Sequence, residues 1–309
     1  MAFLLILKDH TAGSPQKEEV IWTDLSNTEI RARLKSQGII VGKRVVKRLL
    51  DKHRYKKRKI QRRCSTGQAF HRNEQFENIS KLIKEYSSNE NPIMSIDTKK
   101  KEFIGDLHRA GAIYSKKEMV SYDHDFPTLA RGVAIPHGIY DIKKNRAHIN
   151  IGTSYETSEF ACDSLEKWWL EKGRYDYPKA TSILMLMDGG GSNSSRRYLF
   201  KEGLQKLANT IGIEIRIAHY PPYTSKWNPI EHRLFPHITR SMQGIILKDH
   251  NMVKELLEKT TTQKGLTVSA SIMNRVYEKG KKVTKGFKET MKIIFDEFLG
   301  QWNYRAIPT

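Results

Sequence analysis

Short apolar runs recur in the second part of the chain at the spacing of β-strands. Five of them are predicted as strands, in the order "PIMSIDTKK", "RGVAIPHGIYDI", "AHINIGTS", "TSILMLMD" and "IEIRIAH". The fourth is continuously apolar, which is typical of a strand buried on both faces, and the fifth alternates as a half-buried strand does. Because helical patterns follow only the third, fourth and fifth runs, the order βββαβαβα predicts a mixed five-stranded α/β sheet flanked by helices.

Helical periodicity dominates the N-terminal part instead. Leu25, Ile30 and Leu34 share one face of a first predicted helix, and Ser26 or Asn27 can cap it. A second helix carries an apolar stripe of Val45, Val46, Leu49 and Leu50. The segment "SQGIIVG" forms the turn between them, so we predict a small all-α helix-turn-helix domain.

Composition breaks suggest three segments along the chain. Residues 1–63 are predicted as the helix-turn-helix region with its basic arm, and residues 64–91 as a linker with one amphipathic helix. The stretch "SSNENP" marks the boundary to residues 92–309, the α/β domain with a C-terminal helical extension.

Positive charge is concentrated near the N-terminus. The chain has a net charge of +20, and fifteen Lys and Arg face a single acid, Asp51, between Arg31 and Arg63. A solvated basic face or a nuclear-localisation-like run is the ordinary alternative, but this density favours a surface that binds nucleic-acid phosphates. The predicted contacts there are Lys43, Arg44, Lys47, Arg48, Lys52 and Arg54.

Other classes of protein are disfavoured. The chain has no apolar segment of the ~18 residues that a membrane span needs, so we expect no membrane partner. The start "MAFLLIL" lacks a positive n-region and a small-residue cleavage site, so it is not interpreted as a signal peptide. Cys64 and Cys162 have no metal-ligand spacing, which predicts neither a zinc site nor a disulfide framework.

Three acids occupy distinctive places in the predicted order. Asp97 lies on the first strand, Asp188 ends the fourth, and Glu231 lies in the first turn of the helix after the fifth. If the first and fourth strands are neighbours, their carboxylates approach each other, and a divalent cation relieves the repulsion. Oxygen ligands suit Mg²⁺ or Mn²⁺, and two such ions ~4 Å apart can drive phosphodiester chemistry.

Each acid also has an ordinary structural interpretation. Asp97 can be a simple strand-end residue, and Asp188 can open a glycine-rich turn. In "NPIE", Asn228 can cap the helix with Pro229 at its first position, which would leave Glu231 as part of a capping arrangement. Taken together, the three positions favour catalytic and metal-binding roles.

The residues around these acids are candidates for DNA contact. Three glycines, Gly189 to Gly191, follow Asp188 and can turn the backbone sharply while leaving room for a phosphodiester. Further predicted DNA contacts are Asn193, Arg196 and Arg197 after the glycines. Lys99 and Lys100 follow Asp97, and for them a phosphate clamp and a solvated strand end are equally supported.

Three motifs carry a family resemblance. The segments "SIDTKKKEFIGD", "MDGGGSN" and "HYPPYTSKWNPIEHRLF" resemble those of DDE transposases of bacterial insertion sequences, in the Rhodopirellula-type subgroup. The resemblance extends to "GQWNYRAIP" and implies a ribonuclease-H-like catalytic domain whose D, D and E fall on Asp97, Asp188 and Glu231. It implies metal-dependent cleavage of DNA at the element ends and transfer of the freed 3′ end into target DNA.

The same resemblance sets expectations about partners and location. We expect Mg²⁺ or Mn²⁺ as cofactor, two ions in number, and double-stranded DNA of terminal repeats and target as partner. We also expect a homo-oligomer on DNA and a cytoplasmic, nucleoid-associated bacterial protein. Members of this family carry more chain before the helix-turn-helix, so truncation of this copy or a misplaced start codon is an open alternative.

Two other functions stay open at this stage. One is a catalytically silent, transposase-derived DNA-binding regulator, and the other is a related metal-dependent nuclease. A regulator has no need of all three acids, and a nuclease would cleave DNA without transferring strands.

Overall fold

A computed structural model describes residues 2–8, 10–14, 17–58, 70–123 and 126–309 of the chain. The chain divides into two units, Met1–Ser65 and Thr66–Thr309. Most of the predicted basic arm, including Cys64, lies outside the described residues. The predicted linker helix belongs to the second unit.

Among its described residues, the first unit combines three helices with a two-stranded antiparallel sheet. Its elements are α1 (Ala2–Lys8), β1 (Thr11–Ser14), β2 (Lys17–Thr23), α2 (Asn27–Ser36) and α3 (Lys43–Lys52). Ser26 caps α2 in a capping box with Glu29. Ile30, Leu34 and Val46 pack against α1, whereas Val45 is 40% exposed and does not join the predicted stripe. The two predicted helices are present, and the helix-turn-helix role stays a prediction.

The second unit contains the predicted α/β elements and several more. Its strands are β3 (Ile93–Thr98), β4 (Glu102–Ile104), β5 (Gly132–Asp141), β6 (Arg146–Gly152), β7 (Ser182–Asp188), β8 (Glu214–Tyr220), β9 (Thr267–Met273), β10 (Ile293–Phe295) and β11 (Asn303–Ala306). Its helices are α4 (Arg72–Ser87), α5 (Ser158–Trp168), α6 (Arg174–Asp176), α7 (Tyr198–Ile211), α8 (Ile230–Arg233), α9 (Phe235–Ser241), α10 (His250–Glu258) and α11 (Phe287–Thr290).

The central five strands have the ribonuclease-H-like arrangement. They lie in the order β6-β5-β3-β7-β8, which is 3-2-1-4-5 in order of appearance. Strand β5 pairs antiparallel with β3 and β6, and β7 pairs parallel with β3 and β8. The predicted meander followed by parallel additions is therefore confirmed.

The sheet is larger than the predicted five strands. It has nine strands among the described residues, because β9 pairs with β6, β11 and β10 extend the edge beyond β8, and β4 pairs with β5. The C-terminal extension, predicted to be helical, contributes three of these strands. Two of the three have only three or four residues, too few to show a strand period.

Helices cover both faces of the sheet. Helices α5 and α7 pack on one face against Met94, Ile96, Met185 and Met187. On the other face, α4 packs against Ile93, Leu184 and Leu186, and α8 to α10 cover the β5–β6 side. Within the described residues, none of the helices combines the length and apolar character that crossing a membrane would require.

Candidate active site

Strand alternation brings Asp97 and Asp188 to the same face of the sheet. Ile96 of β3 is paired with Met187 of the parallel strand β7, and both side chains belong to the core beneath α5 and α7. Asp97 and Asp188 are the next residues along these strands, so both side chains project from the opposite face. Neighbouring strands are about 4.8 Å apart, which places the two carboxylates side by side.

Glu231 approaches this face on the short helix α8. The chain before the helix is tied to β3 through Asn228, whose Nδ2 donates to the Ile96 carbonyl (3.1 Å) and whose Oδ1 accepts from Ser95 Oγ. The Ile230 N–H also donates to Ser95 Oγ (2.9 Å). The capping interpretation predicted that the Asn228 side chain caps this helix, and that prediction is wrong. The side chain is hydrogen-bonded instead to the strand that carries Asp97.

The pKa values of Asp97 and Asp188 are both raised in the folded protein. Burial, the charge of Asp188 and a hydrogen bond with Glu231 raise the pKa of Asp97 from 3.8 to about 8, although the Thr98 N–H opposes this. The pKa of Asp188 is also raised, mainly by burial and further by the charges of Glu231 and Glu156, against a hydrogen bond from the Gly190 N–H. No described Lys, Arg or His forms an ion pair with Asp97, Asp188 or Glu231.

The donor chemistry at this point fits a divalent cation. The carboxylate oxygens of Asp97, Asp188 and Glu231 are hard ligands, which Mg²⁺ and Mn²⁺ prefer. Within the described ranges, however, no group of three or more His, Cys, Asp and Glu is already arranged to enclose a metal ion. The pairing of β3 with β7 fixes Asp97 and Asp188. To enclose a cation fully, the side chains around these two carboxylates must move closer to it.

Glu156 is a carboxylate near the site that the sequence did not reveal. It lies in the loop before α5, accepts a hydrogen bond from Ser192 Oγ (3.0 Å), and raises the pKa of Asp188. Ser158 Oγ also donates to the Ser192 carbonyl (2.8 Å). A loop residue has no hydrophobic periodicity by which the sequence could identify it. Its proximity to Asp188 is a consequence of the fold.

The loop after Asp188 is open at its start and anchored at its end. A Cβ at Gly189 or Gly190 would have no atom closer than 3.7 Å, whereas Gly191 has a φ of +58°, which favours glycine. Asn193 is only 2% exposed, so its predicted contact with DNA is not available in this arrangement. Arg196 and Arg197 are exposed just before α7.

The other predicted DNA contacts differ in their exposure to solvent and in whether they are already ion-paired. Lys99 is largely buried and ion-paired with Glu102, which also binds Arg109, whereas Lys100 is exposed. On α3 and just after it, the predicted cations are exposed, and no described acid pairs with them. These are Lys43, Arg44, Lys47, Arg48, Lys52 and Arg54.

A basic groove, lined in part by residues that follow Glu231 in the chain, was also missed by the sequence analysis. It has a volume of about 900 Å³, and its lining contains no carboxylate. Within the described part of the chain, no acid pairs with Arg233, Arg240 or Lys264. A signal was available, because Arg233, His237 and Arg240 recur at helical spacing. We call the set His232, Arg233, His237, Arg240 and Lys264 the basic groove.

Comparisons with known proteins show which family this chain belongs to. The model of the family described as Rhodopirellula transposase DDE domain matches residues 2–308. No curated protein sequence matches the chain significantly. The fold assignment rests on the strand order, since the similar solved structures are distant.

Three solved structures illustrate that distance. A pre-cleavage Mos1 transpososome has a TM-score of 0.45 at 11% identity, covering 83% of this chain and 69% of that chain. A Mos1 transposase paired-end complex with the left transposon end has a TM-score of 0.43 at 13% identity, with the same coverage. A Mos1 mariner paired-end complex with Mn has a TM-score of 0.42 at 16% identity, covering 80% and 72%.

Proposed function

Because this chain belongs to the Rhodopirellula transposase DDE family, we propose that Asp97, Asp188 and Glu231 are its catalytic carboxylates. The protein is a DNA transposase, an enzyme that cleaves DNA and transfers the cleaved strand into target DNA. One observation carries the assignment of the three residues. Two carboxylates from adjacent parallel strands and a third from the facing helix share one face, and no described cation is paired with them.

The metal requirement follows from the same charges. DDE transposases use divalent metal ions. We propose that Asp97 and Asp188 hold Mg²⁺ or Mn²⁺, two ions in the active complex, with Glu231 as the third ligand. When bound there, the metal would supply activation of the attacking oxygen and stabilisation of the leaving oxygen of a phosphodiester. The raised pKa of Asp97 means that this carboxyl must lose its proton before it binds a cation.

The surrounding residues supply the path for DNA. The open backbone at Gly189 and Gly190 lets a phosphodiester approach Asp188, and Arg196 and Arg197 border that approach. The basic groove adds a second cationic surface, suited to the DNA backbone. In the first unit, the exposed cations of α3 serve recognition of the element ends. DNA is thus the partner of both units.

The proposal extends to the state of the protein in the cell. The protein acts on double-stranded DNA, namely the terminal repeats and the target. It assembles as a homo-oligomer on that DNA and works in the cytoplasm at the nucleoid. A silent regulator would bind these DNAs without cleaving them, and a nuclease would cleave them without joining.

Cleavage of the element's own ends tests the proposal. Full-length protein is incubated with duplexes that carry the repeats flanking its coding sequence, with Mg²⁺ or with EDTA, and with labelled target DNA. Metal-dependent nicks and joined products are expected for the wild type. Asp188→Asn should abolish both and leave DNA affinity unchanged. Wild-type rates in that variant would contradict the catalytic assignment, and binding without cleavage by the wild type would favour the regulator.

A further inference from the structure

We propose that Ser95 and Asn228 are positioning residues that hold Glu231 at the correct distance from Asp97 and Asp188. The inference rests on the proposed function, because it concerns the geometry of the same three carboxylates. Neither residue touches the reacting atoms. Their role is to fix the chain that carries the third carboxylate to the strand that carries the first.

Ser95 and Asn228 form a buried clamp between β3 and the start of α8. Ser95 lies two residues before Asp97, so its side chain is on the same face of the strand. Its Oγ donates to Asn228 Oδ1 and accepts from the Ile230 N–H, while Asn228 Nδ2 donates to the Ile96 carbonyl. Both side chains are 0% exposed. Every polar atom of the two side chains except one amide hydrogen has a protein partner.

The clamp is directly connected to Glu231. The Glu231 N–H donates to the Asn228 carbonyl (3.1 Å), so one residue links the strand to the backbone of the third carboxylate. Helix α8 has only four residues and therefore has little rigidity of its own. Its position depends on what anchors its first turn.

The absence of a side chain at Gly138 complements the clamp. Gly138 on β5 is the register partner of Asp97. A Cβ there would lie 2.8 Å from Ile230 Cδ1 and 3.1 Å from a ring carbon of Phe235. Glycine thus lets α8 lie directly on the sheet, and the clamp holds it there.

Charge repulsion gives this clamp a purpose beyond stability. The pairing of β3 with β7 sets Asp97 beside Asp188, and the Glu231 side chain lies within hydrogen-bonding reach of Asp97, so repulsion among these negative charges pushes Glu231 away from the sheet before a cation binds. Buried hydrogen bonds on the neighbouring backbone oppose that displacement. Residues that orient metal ligands in this way commonly change metal affinity about 10- to 100-fold when mutated.

Metal binding without DNA tests the inference apart from catalysis. Mn²⁺ is titrated into full-length wild type, Ser95→Ala and Asn228→Ala at pH 8.5, and free Mn²⁺ is measured by electron paramagnetic resonance. We expect each variant to bind Mn²⁺ about tenfold or more weakly. The double variant should lose less than the product of the two single losses, because the residues act through one clamp.

Ser182→Ala is the matched control. Ser182 is a buried serine on the adjacent strand β7, hydrogen-bonded to Tyr86 and Glu214 and located at the opposite end from Asp188. Its removal also deletes a buried hydroxyl, so a purely structural effect predicts the same loss in all variants. We expect Ser182→Ala to lower the unfolding temperature while binding Mn²⁺ as the wild type does. Equal loss of Mn²⁺ affinity in this control would overturn the positioning role.

The outcomes separate the inference from the proposed function. If the wild type binds Mn²⁺ and cleaves its element ends, and the Ser95→Ala and Asn228→Ala variants do both equally well, only the positioning role is refuted. If the wild type itself neither binds Mn²⁺ nor cleaves, the proposed function fails. Because the two variants remove different halves of the clamp, one folded variant is sufficient for the comparison. Affinity for DNA should stay unchanged in each.

Discussion

Asp97→Asn should make the metal-free protein more stable at alkaline pH while abolishing cleavage. The pKa of Asp97 rises from 3.8 to about 8 in the folded protein. Between these pH values the folded state holds a proton that the unfolded state has lost, so the stability of the wild type falls as pH rises through this window. Asparagine removes the charge and therefore removes the loss.

The size of the effect follows from the pKa rise. The pKa of Asp97 rises by about four, and each step of one in pKa corresponds to about 1.4 kcal/mol, so the gain in unfolding free energy has an upper limit of ~6 kcal/mol. Asp97 is half-buried and keeps some contact with water, which reduces the expected net gain to ~2 kcal/mol at pH 9. For a domain of this size, that corresponds to an increase of about 4–8 °C in Tm.

Thermal unfolding in EDTA measures this gain, at pH 4 and at pH 9. The two proteins should unfold at nearly the same temperature at pH 4, where Asp97 is protonated in the folded state, and differ at pH 9. Added Mg²⁺ should stabilise the wild type at pH 9 but not the variant. Asp106→Asn is the control, since that exposed carboxylate pairs with the exposed Arg131 at 3.5 Å and should change stability by less than about 0.5 kcal/mol. A variant no more stable than the wild type at pH 9 would contradict the raised pKa of Asp97, which burial and the neighbouring carboxylates cause.

Three further predictions concern DNA contact and the seating of α8. Replacing Lys43, Arg44, Lys47 and Arg48 on α3 by Glu should weaken binding to the element ends. The slope of log affinity against log salt concentration should become shallower by about 0.9 for each lost phosphate contact. An unchanged slope in a salt titration would place the DNA surface elsewhere. In the basic groove, Arg233→Glu with Arg240→Glu should likewise flatten the salt dependence of DNA binding, whereas the exposed control Lys179→Glu should not. Gly138→Val should displace α8, weaken Mn²⁺ binding and destabilise the protein by about 1–3 kcal/mol in denaturant unfolding. Gly132→Val at the other end of β5, where only His250 comes within 4 Å, should leave Mn²⁺ binding unchanged, and an equal loss there would contradict this packing argument.

The sequence by itself determined the central sheet, the two aspartates on its strands and the helical position of Glu231. The strand patterns, from "IMSI" to "IEIRIAH", predicted the five central strands because a period of two and a continuous apolar run are local signals. The placement of Asp97 and Asp188 followed from the strands, because the two acids occupy matching positions on neighbouring parallel strands and so project from the same face of the sheet. Charge density likewise identified α3 as a basic surface.

Only the tertiary structure decided how these parts meet. The Ser95–Asn228 clamp joins residues 133 positions apart, and the approach of Glu156 to Asp188 also depends on contacts distant in the sequence. The capping interpretation of Asn228 and the expected DNA contact of Asn193 were locally reasonable. The capping interpretation failed because burial against other elements gave the Asn228 side chain a partner on β3, whereas the DNA contact of Asn193 stays a prediction for a side chain that is buried in this arrangement. Strands β10 and β11 were missed for a related reason: a three- or four-residue strand is stabilised by its neighbours in the sheet, and its own sequence carries too few residues to show a period.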